Sequence, residues 1–299
     1  MIRNVAKVSQ FIWKHPANRG KRLSTLSRAI CWQVAKRVTG KPWVFALPGG
    51  MKIKCYPDSH PGSIALYTNG MHDLDEMIFM KRYLRPSDRF LDIGANIGVY
   101  SFFAAPLIGP DGTIDAFEPG DPAFERFQEN IALNRLENRI SLHKKAVSAE
   151  DGEVQFVIGH DATNRIADDR AATTDIMRLP CVALDNHFAD TAYALGKIDT
   201  EGAEPLVLRG AEKMLRSANP PVWILEINPR GLAGHGFSVD SFREWMSARE
   251  FDLAAYNSRE NSFSTDPASY CDAPNAFAVA RSKRDFVLDR VGATWVNNG

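Results

Sequence analysis

Residues 90–101 read FLDIGANIGVYS. A short apolar run meets Asp92, passes Gly94, Asn96 and Gly98, and becomes apolar again. That order describes a buried strand turning sharply into a helix. In an open α/β sheet such a turn lies at the C-terminal end of a strand, where ligands bind. A dinucleotide site would carry G-x-G-x-x-G, its middle glycine bare so that pyrophosphate can approach the backbone. Here Asn96 occupies the middle position, and Asp92 would repel a diphosphate. No Gly-Lys-Ser/Thr follows, so a phosphate-cradling Walker loop is excluded as well.

The pattern suits a ligand without phosphate that carries a carboxylate and a positive group. The helix N-terminus favours the carboxylate, and Asp92 the cationic end. S-adenosylmethionine has both parts together with an adenosine. The following apolar run, IDAFEP, ends in Glu118. An acidic residue at this distance can accept both ribose hydroxyls, in NAD sites as in S-adenosylmethionine sites. Pro119 adds a rigid apolar edge beside the adenine.

Outward from this stretch, apolar strand patterns alternate with helical ones. NIGVYSFFAAPLI reads as a helix, GTIDAFEP as a strand, and DPAFERFQENIALN as a helix with Asp121 as N-cap and Pro122 in its first turn. ISLHKKAVS is a third strand, EVQFVIG a short one, and residues 160–178 a polar loop. YALGKIDTEG, PPVWILEINP, FDLAAYN and NAFAVARSK are further strands, with helices in AEPLVLRGAEKMLRS and SVDSFREWMSARE. This alternation predicts a Rossmann-like, mostly parallel sheet with helices on both faces. WVFALPGGMKIKCYPDS predicts a hairpin with Pro-Gly-Gly at its turn.

The chain has 299 residues and zero formal net charge. Its charge is nevertheless asymmetric, because twelve basic residues and no acidic one precede Asp58. Residues 1–45 show apolar residues at helical spacing: Val5, Val8 and Ile12, then Leu23, Leu26, Ile30, Val34 and Val38. The expectation is a basic helical extension over 1–48, a catalytic domain over 49–285 and a tail over 286–299. The extension reads first as a solvated arm packed on the domain, and second as a peripheral membrane contact through residues 1–45. A transit peptide is the third reading.

Four dispersed cysteines, no apolar run of membrane-spanning length and no apolar secretory core give the expectation of a cytoplasmic protein with reduced thiols.

FLDIGANIGVYS, AFEP, VALD, GKIDTEGAEPLVLRGAEKML and VWILEIN occur in this order. Together they closely resemble the FkbM-type methyltransferase family, within the class I S-adenosylmethionine-dependent enzymes. The first motif is shared by many class I enzymes, whereas KIDTEGAE followed by LRGAE is much more specific to this family. The resemblance covers roughly residues 65–280. It implies a seven-stranded sheet whose last strand is antiparallel, and methylation of hydroxyl groups on sugars, glycans or natural products. It implies that Asp92, Gly94, Asn96 and Gly98 hold the methionine end of the cofactor and Glu118 the ribose. Ala146 and Val147, ending the third strand, then lie near the adenine.

KIDTEGAE also puts Asp199, Glu201 and Glu204 near one strand end, with Glu226 at the end of the neighbouring strand. Asp199 is the first candidate to contact cofactor or substrate, and Glu201 and Glu226 are candidate bases for a hydroxyl proton. Each could instead cap a turn or the following helix. A divalent metal bridging Asp199 and Glu226 is a weaker alternative, since no histidine stands at ligand spacing. Asn164, Arg165 and His235, in loop-like segments, are candidate substrate contacts. His143 and Trp223 read as structural. A nucleic-acid methyltransferase gripping through the arm is the enzyme alternative. Against a nucleic-acid partner, the arm's aromatics are few (Phe11, Trp13, Trp32) and no N/D-P-P-Y/F/W motif occurs. A non-catalytic membrane-associated binding module is the remaining alternative.

Overall fold

The computed structural model describes residues 2–157, 165–166, 176–271 and 275–296. Among the described residues, nine strands build the central sheet: β1 (Arg89–Ile93), β2 (Thr113–Phe117), β3 (Ile140–His143), β4 (Leu195–Ile198), β5 (Val222–Glu226), β6 (Phe251–Asn257), β7 (Ser262–Ser264), β8 (Asn275–Ala280) and β9 (Thr294–Val296). Their spatial order is β9-β7-β6-β8-β5-β4-β1-β2-β3. Strands β1 to β5 run parallel, and β8 is antiparallel between β5 and β6. The α/β class and the largely parallel sheet therefore follow the sequence reading. Seven of these strands match the expected sheet, and β7 and β9 extend its edge beyond it.

The chain winds from β1 outward through β2 and β3, then returns to lay β4 on the other flank of β1. The order thus reverses between β1 and β4, and a crevice opens at their C-terminal ends. The central strands are apolar without alternation because helices cover both faces. All four residues of β4 are buried, including Lys197, as are Val222 through Leu225 of β5. Trp223 is fully buried.

A second sheet joins Ala146–Val147, Ile176–Val182, Gly152–Val157 and Arg165–Ile166, in that order. Ala146 and Val147 therefore do not end β3, as the sequence suggested. The chain leaves the central sheet after His143, and this pair opens the second sheet instead. His143 is structural: its ring stacks on Phe117 at 4.6 Å and lies 3.4 Å from an Asp115 oxygen. The helix expected to be capped by Asp121 spans Ala123–Asn134, and no side-chain cap opens it. Asp121 instead pairs with Lys144 at 2.7 Å.

The N-terminal extension packs firmly on the domain. Helix Arg22–Thr39 lies against helix His60–Tyr67, and helix Ile2–Lys14 packs on Arg22–Thr39. Asn18 is fully buried at the joint and donates to the carbonyls of Ile12 and Tyr67, each at 2.9 Å. Arg28 donates to Leu66 O at 2.8 Å. The expected hairpin joins Trp43–Ala46 to Lys52–Cys55 and is held by Asn130 and Asn134 of helix Ala123–Asn134. Cys31, Cys55 and Cys181 form no disulfide. Among the described residues no helix is long and apolar enough to cross a membrane.

Residues 284–296, which include the described part of the expected tail, pack on the domain. Helix Arg284–Val291 buries Val287 and Val291, and β9 adds a parallel edge strand to β7. Arg290 pairs with Asp88, donates to Tyr83 O at 2.6 Å and lies over the Tyr83 ring. Both charged side chains of the pair are only 15% exposed. Breaking such a pair strands a carboxylate in low dielectric. Arg290→Ala is therefore expected to cost about 3 kcal/mol, read as a lower urea midpoint with an unchanged slope.

Candidate active site

The end of β1 is pinned from two sides. The N–H groups of Gly94 and Ala95 both donate to Phe117 O of β2 at 3.0 Å, and Asp199 N, just past β4, donates to Ile93 O at 3.0 Å. Gly94 has φ +76°, and a Cβ there would lie 1.8 Å from the Asp199 carbonyl oxygen. Only glycine lets the two loops touch. A similar approach joins the next loops: a Cβ on Gly202 would lie 2.2 Å from the Gly231 Cα, and one on Gly231 would lie 2.4 Å from the Gly202 Cα.

Around this junction lies a cavity of about 280 Å³. Asp92, Gly94, Asn96, Glu118 and Pro119 line one side, Ala146 and Val147 another, and Asp199, Thr200 and Glu201 a third. Phe156 and Ile166 of the second sheet complete the apolar wall. Seven of the eight expected cofactor residues thus share one cavity. Gly98 does not line it. It precedes helix Val99–Leu107, and its Cβ position is taken by the Phe127 ring at 2.3 Å.

Glu118 is buried, and its two oxygens accept from Asn96 N and Gly120 N, each at 2.9 Å. Each oxygen keeps a second lone pair. Burial pushes its carboxyl up to about 7 despite those two donors. Asp92 is 1% exposed; one oxygen accepts from Ser101 Oγ at 2.6 Å, and the other is buried without a partner among the described residues. Burial raises its carboxyl, and Lys197 opposes that shift.

Lys197 was the main omission of the sequence reading. Its ammonium is buried, 2.7 Å from an Asp199 oxygen and 4.4 Å from the centre of the Tyr100 ring. Burial alone would lower it, but Asp199 and Asp92 outweigh burial and raise it. The signal was present in GKIDTEG, a lysine inside an otherwise apolar central strand. Also missed were His72 and Asp73, which line the cavity from the segment before helix Leu74–Tyr83. Tyr100 donates to Asp73 at 2.6 Å, and the His72 ring meets the Tyr100 ring edge-on at 5.5 Å. Burial lowers the His72 imidazole, so it stays neutral near pH 7.

Asp199, Glu201 and Glu226 each bring an oxygen within 4.8 Å of the others. Burial, then Asp199 and Glu204, push the Glu226 carboxyl up to about 9. Three carboxylates form a donor set acceptable to a hard cation, although Lys197 already supplies one positive charge beside them. Glu204 is a structural brace, accepting from Thr200 N, Thr200 Oγ1 and Gly202 N. His235 follows helix Pro229–Gly234 and does not line the cavity. Asn164 lies outside the described residues. The Arg165 backbone pairs with Val157, next to the cavity-lining Ile166.

An α/β sheet with a cavity at its switch point, acidic at two strand ends and bare of a phosphate cradle, defines the class I methyltransferase architecture. Residues 92–253 match the model of the methyltransferase FkbM domain, and the chain belongs to that family. A Streptomyces tacrolimicus protein, 31-O-demethyl-FK506 methyltransferase FkbM, is 36% identical over 97 residues, covering 32% of this chain and 36% of that protein. A ribosomal protein L11 methyltransferase of Ruminiclostridium cellulolyticum is 28% identical over 142 residues, covering 46% of this chain and 43% of that protein. The chain thus spans less than half the length of these relatives. A methyltransferase FkbM structure from Methylobacillus flagellatus KT aligns with a TM-score of 0.43 at 13% identity, over 86% of this chain and 60% of that one.

Replacing Lys197 tests the electrostatics directly. Lys197→Met leaves Asp92 and Asp199 facing each other without their buried cation, an expected loss of about 3 kcal/mol at pH 8. The lysine is charged in folded and unfolded chains from pH 5 to 8, so its own titration adds no slope there. In the variant the stranded carboxylates take up protons more readily when folded, so the loss shrinks toward pH 5. Urea unfolding of both proteins at the two pH values measures this.

Proposed function

We propose that this chain is an S-adenosylmethionine-dependent O-methyltransferase acting on a hydroxyl of a sugar, a glycan or a natural-product-like small molecule. The observation that carries the reading is the joint lining of one cavity by Asp92, Gly94, Asn96 and Glu118 with Asp199 and Glu201. The donor set fits the cofactor. Glu118 has one spare lone pair per oxygen for two ribose hydroxyls, and the unpartnered Asp92 oxygen favours a cationic group. Pro119, Ala146, Val147, Phe156 and Ile166 offer an apolar slot for a purine. That the curated FkbM relative is named for O-demethyl-FK506 methylation supports a hydroxyl acceptor.

When bound, S-adenosylmethionine supplies an electrophilic methyl group on a positive sulfur. The chain's residues then have two tasks, to align a hydroxyl and to take its proton. Alignment supplies much of the rate in such displacements. Asp199 and Glu201 line the cavity and are the bases in this reading. Glu226, with its carboxyl near 9, is protonated at neutral pH and is therefore not the base in this reading, contrary to the sequence expectation. Neutral His72 and Asp73 face the same cavity and contact the acceptor.

Calorimetric titration with S-adenosylmethionine, with NAD as control, tests the reading. Binding is expected for the first alone, and Glu118→Ala is expected to weaken it at least about tenfold. No binding by the wild type, with or without divalent metal, would sink the proposal. Because Glu118 must be ionised to accept two hydroxyls and titrates near 7, affinity should fall about tenfold per pH unit below that value and level off above it. Asp199→Asn is expected to lower kcat by about 10²–10⁴-fold while cofactor affinity changes little. Since Lys197 already neutralises Asp199, a chelator is expected to leave turnover within about twofold; loss of activity with EDTA, restored by magnesium, would reassign the three carboxylates to a cation.

A further inference from the structure

The N-terminal extension turns an apolar face outward. On helix Arg22–Thr39, Thr25, Ala29 and Trp32 are buried against the domain. On the opposite side, Leu23, Ile30, Val34 and Val38 stand 76%, 58%, 57% and 78% exposed. At 100° per residue these four fall within one stripe about 80° wide along the helix. Trp13 and Phe11 of helix Ile2–Lys14 are exposed too, and Arg22 lies over the Trp13 ring at 5.1 Å. Six of the eleven exposed large apolar residues among those described lie on these two helices. Such concentration marks an interaction surface rather than scattered surface apolarity.

Charge identifies what covers it. Lys7, Lys14, Arg19, Lys21, Arg37 and Lys41 are exposed on the same segment, and no acidic residue occurs before Asp58 to offset them. An apolar stripe flanked by cations, with tryptophan at its end, fits the headgroup and acyl boundary of an anionic bilayer. A second copy of this chain would set two basic faces against each other. RNA would satisfy the cations but leave the aliphatic stripe in water. We propose that the face formed by Leu23, Ile30, Val34 and Val38 with their flanking lysines and arginines docks this protein on an anionic lipid surface. The docked helices also wall a groove lined by Val8 and Phe11, and that groove shares His60 and Ile64 with the site cavity.

Flotation of the full chain with vesicles tests the proposal, comparing phosphatidylcholine alone with phosphatidylcholine containing about 30 mol% phosphatidylglycerol. The wild type is expected to partition onto the anionic vesicles at least about tenfold more strongly. Raising salt from about 0.1 M to about 1 M shortens the screening length from about 10 Å to about 3 Å and should remove that preference. Ile30→Gln, Val34→Gln and Val38→Gln together introduce a better helix former at exposed positions. This variant should keep its circular dichroism and lose about tenfold or more in partitioning. Lys14→Glu, Lys21→Glu and Lys41→Glu, which leave the stripe intact, should abolish the anionic preference. Equal partitioning onto both vesicle types, or onto neither, would overturn the proposal. So would a dimer that the glutamine variant dissociates, or capture of an RNA oligomer in place of vesicles.

Discussion

One ammonium group governs the acidic end of this sheet. Lys197 is buried in β4 between Asp92 of β1 and Asp199 at its own strand end, with the Tyr100 ring against it. Without that charge, parallel strands that bring carboxylates together at one crevice would face mutual repulsion in low dielectric. With it, Asp199 is held toward the cavity, and Asp92 stays buried with one oxygen unpartnered among the described residues. The arrangement is a poor device for stability, since two apolar residues would serve better. In the proposed reading its value lies in keeping negative charge where the positive group of the cofactor would sit.

The same logic separates the other carboxyl groups. Glu118 and Glu226 are pushed up mainly by burial, the first to about 7 and the second to about 9. They stand at different strand ends, so one titrates near neutrality while the other holds its proton. Environments that push acid groups apart divide the roles of acceptor and donor within one site. Glu204, the fully buried brace, contributes by tying Thr200 and Gly202 into the loop that presents Asp199 and Glu201.

Much of this was legible in the amino-acid sequence, and the misses have physical causes. The alternation of strands and helices gave the parallel sheet, and FLDIGANIG with AFEP named residues that now share a cavity. Gly98 lies off the cavity wall because its motif position packs on Phe127, a contact between distant segments that spacing does not encode. Ala146 and Val147 reach the cavity from a different sheet, because β strands carry no local mark of which sheet they join. The place of His72 and Asp73 at the cavity was not legible because it depends on contacts with Tyr100 of a later helix. The edge strand at Thr294–Val296 was too short for a periodic signal.

The reciprocal contact of Gly202 with Gly231 carries a consequence for how the site can vary. Each α-carbon fills the space a side chain on the other would need, so neither residue can change first and be rescued by the other. The two positions behave as one locked pair under mutation. Diversification of these two loops must therefore run through the neighbours of these glycines, and libraries that randomise both loops would lose most of their members at this single point.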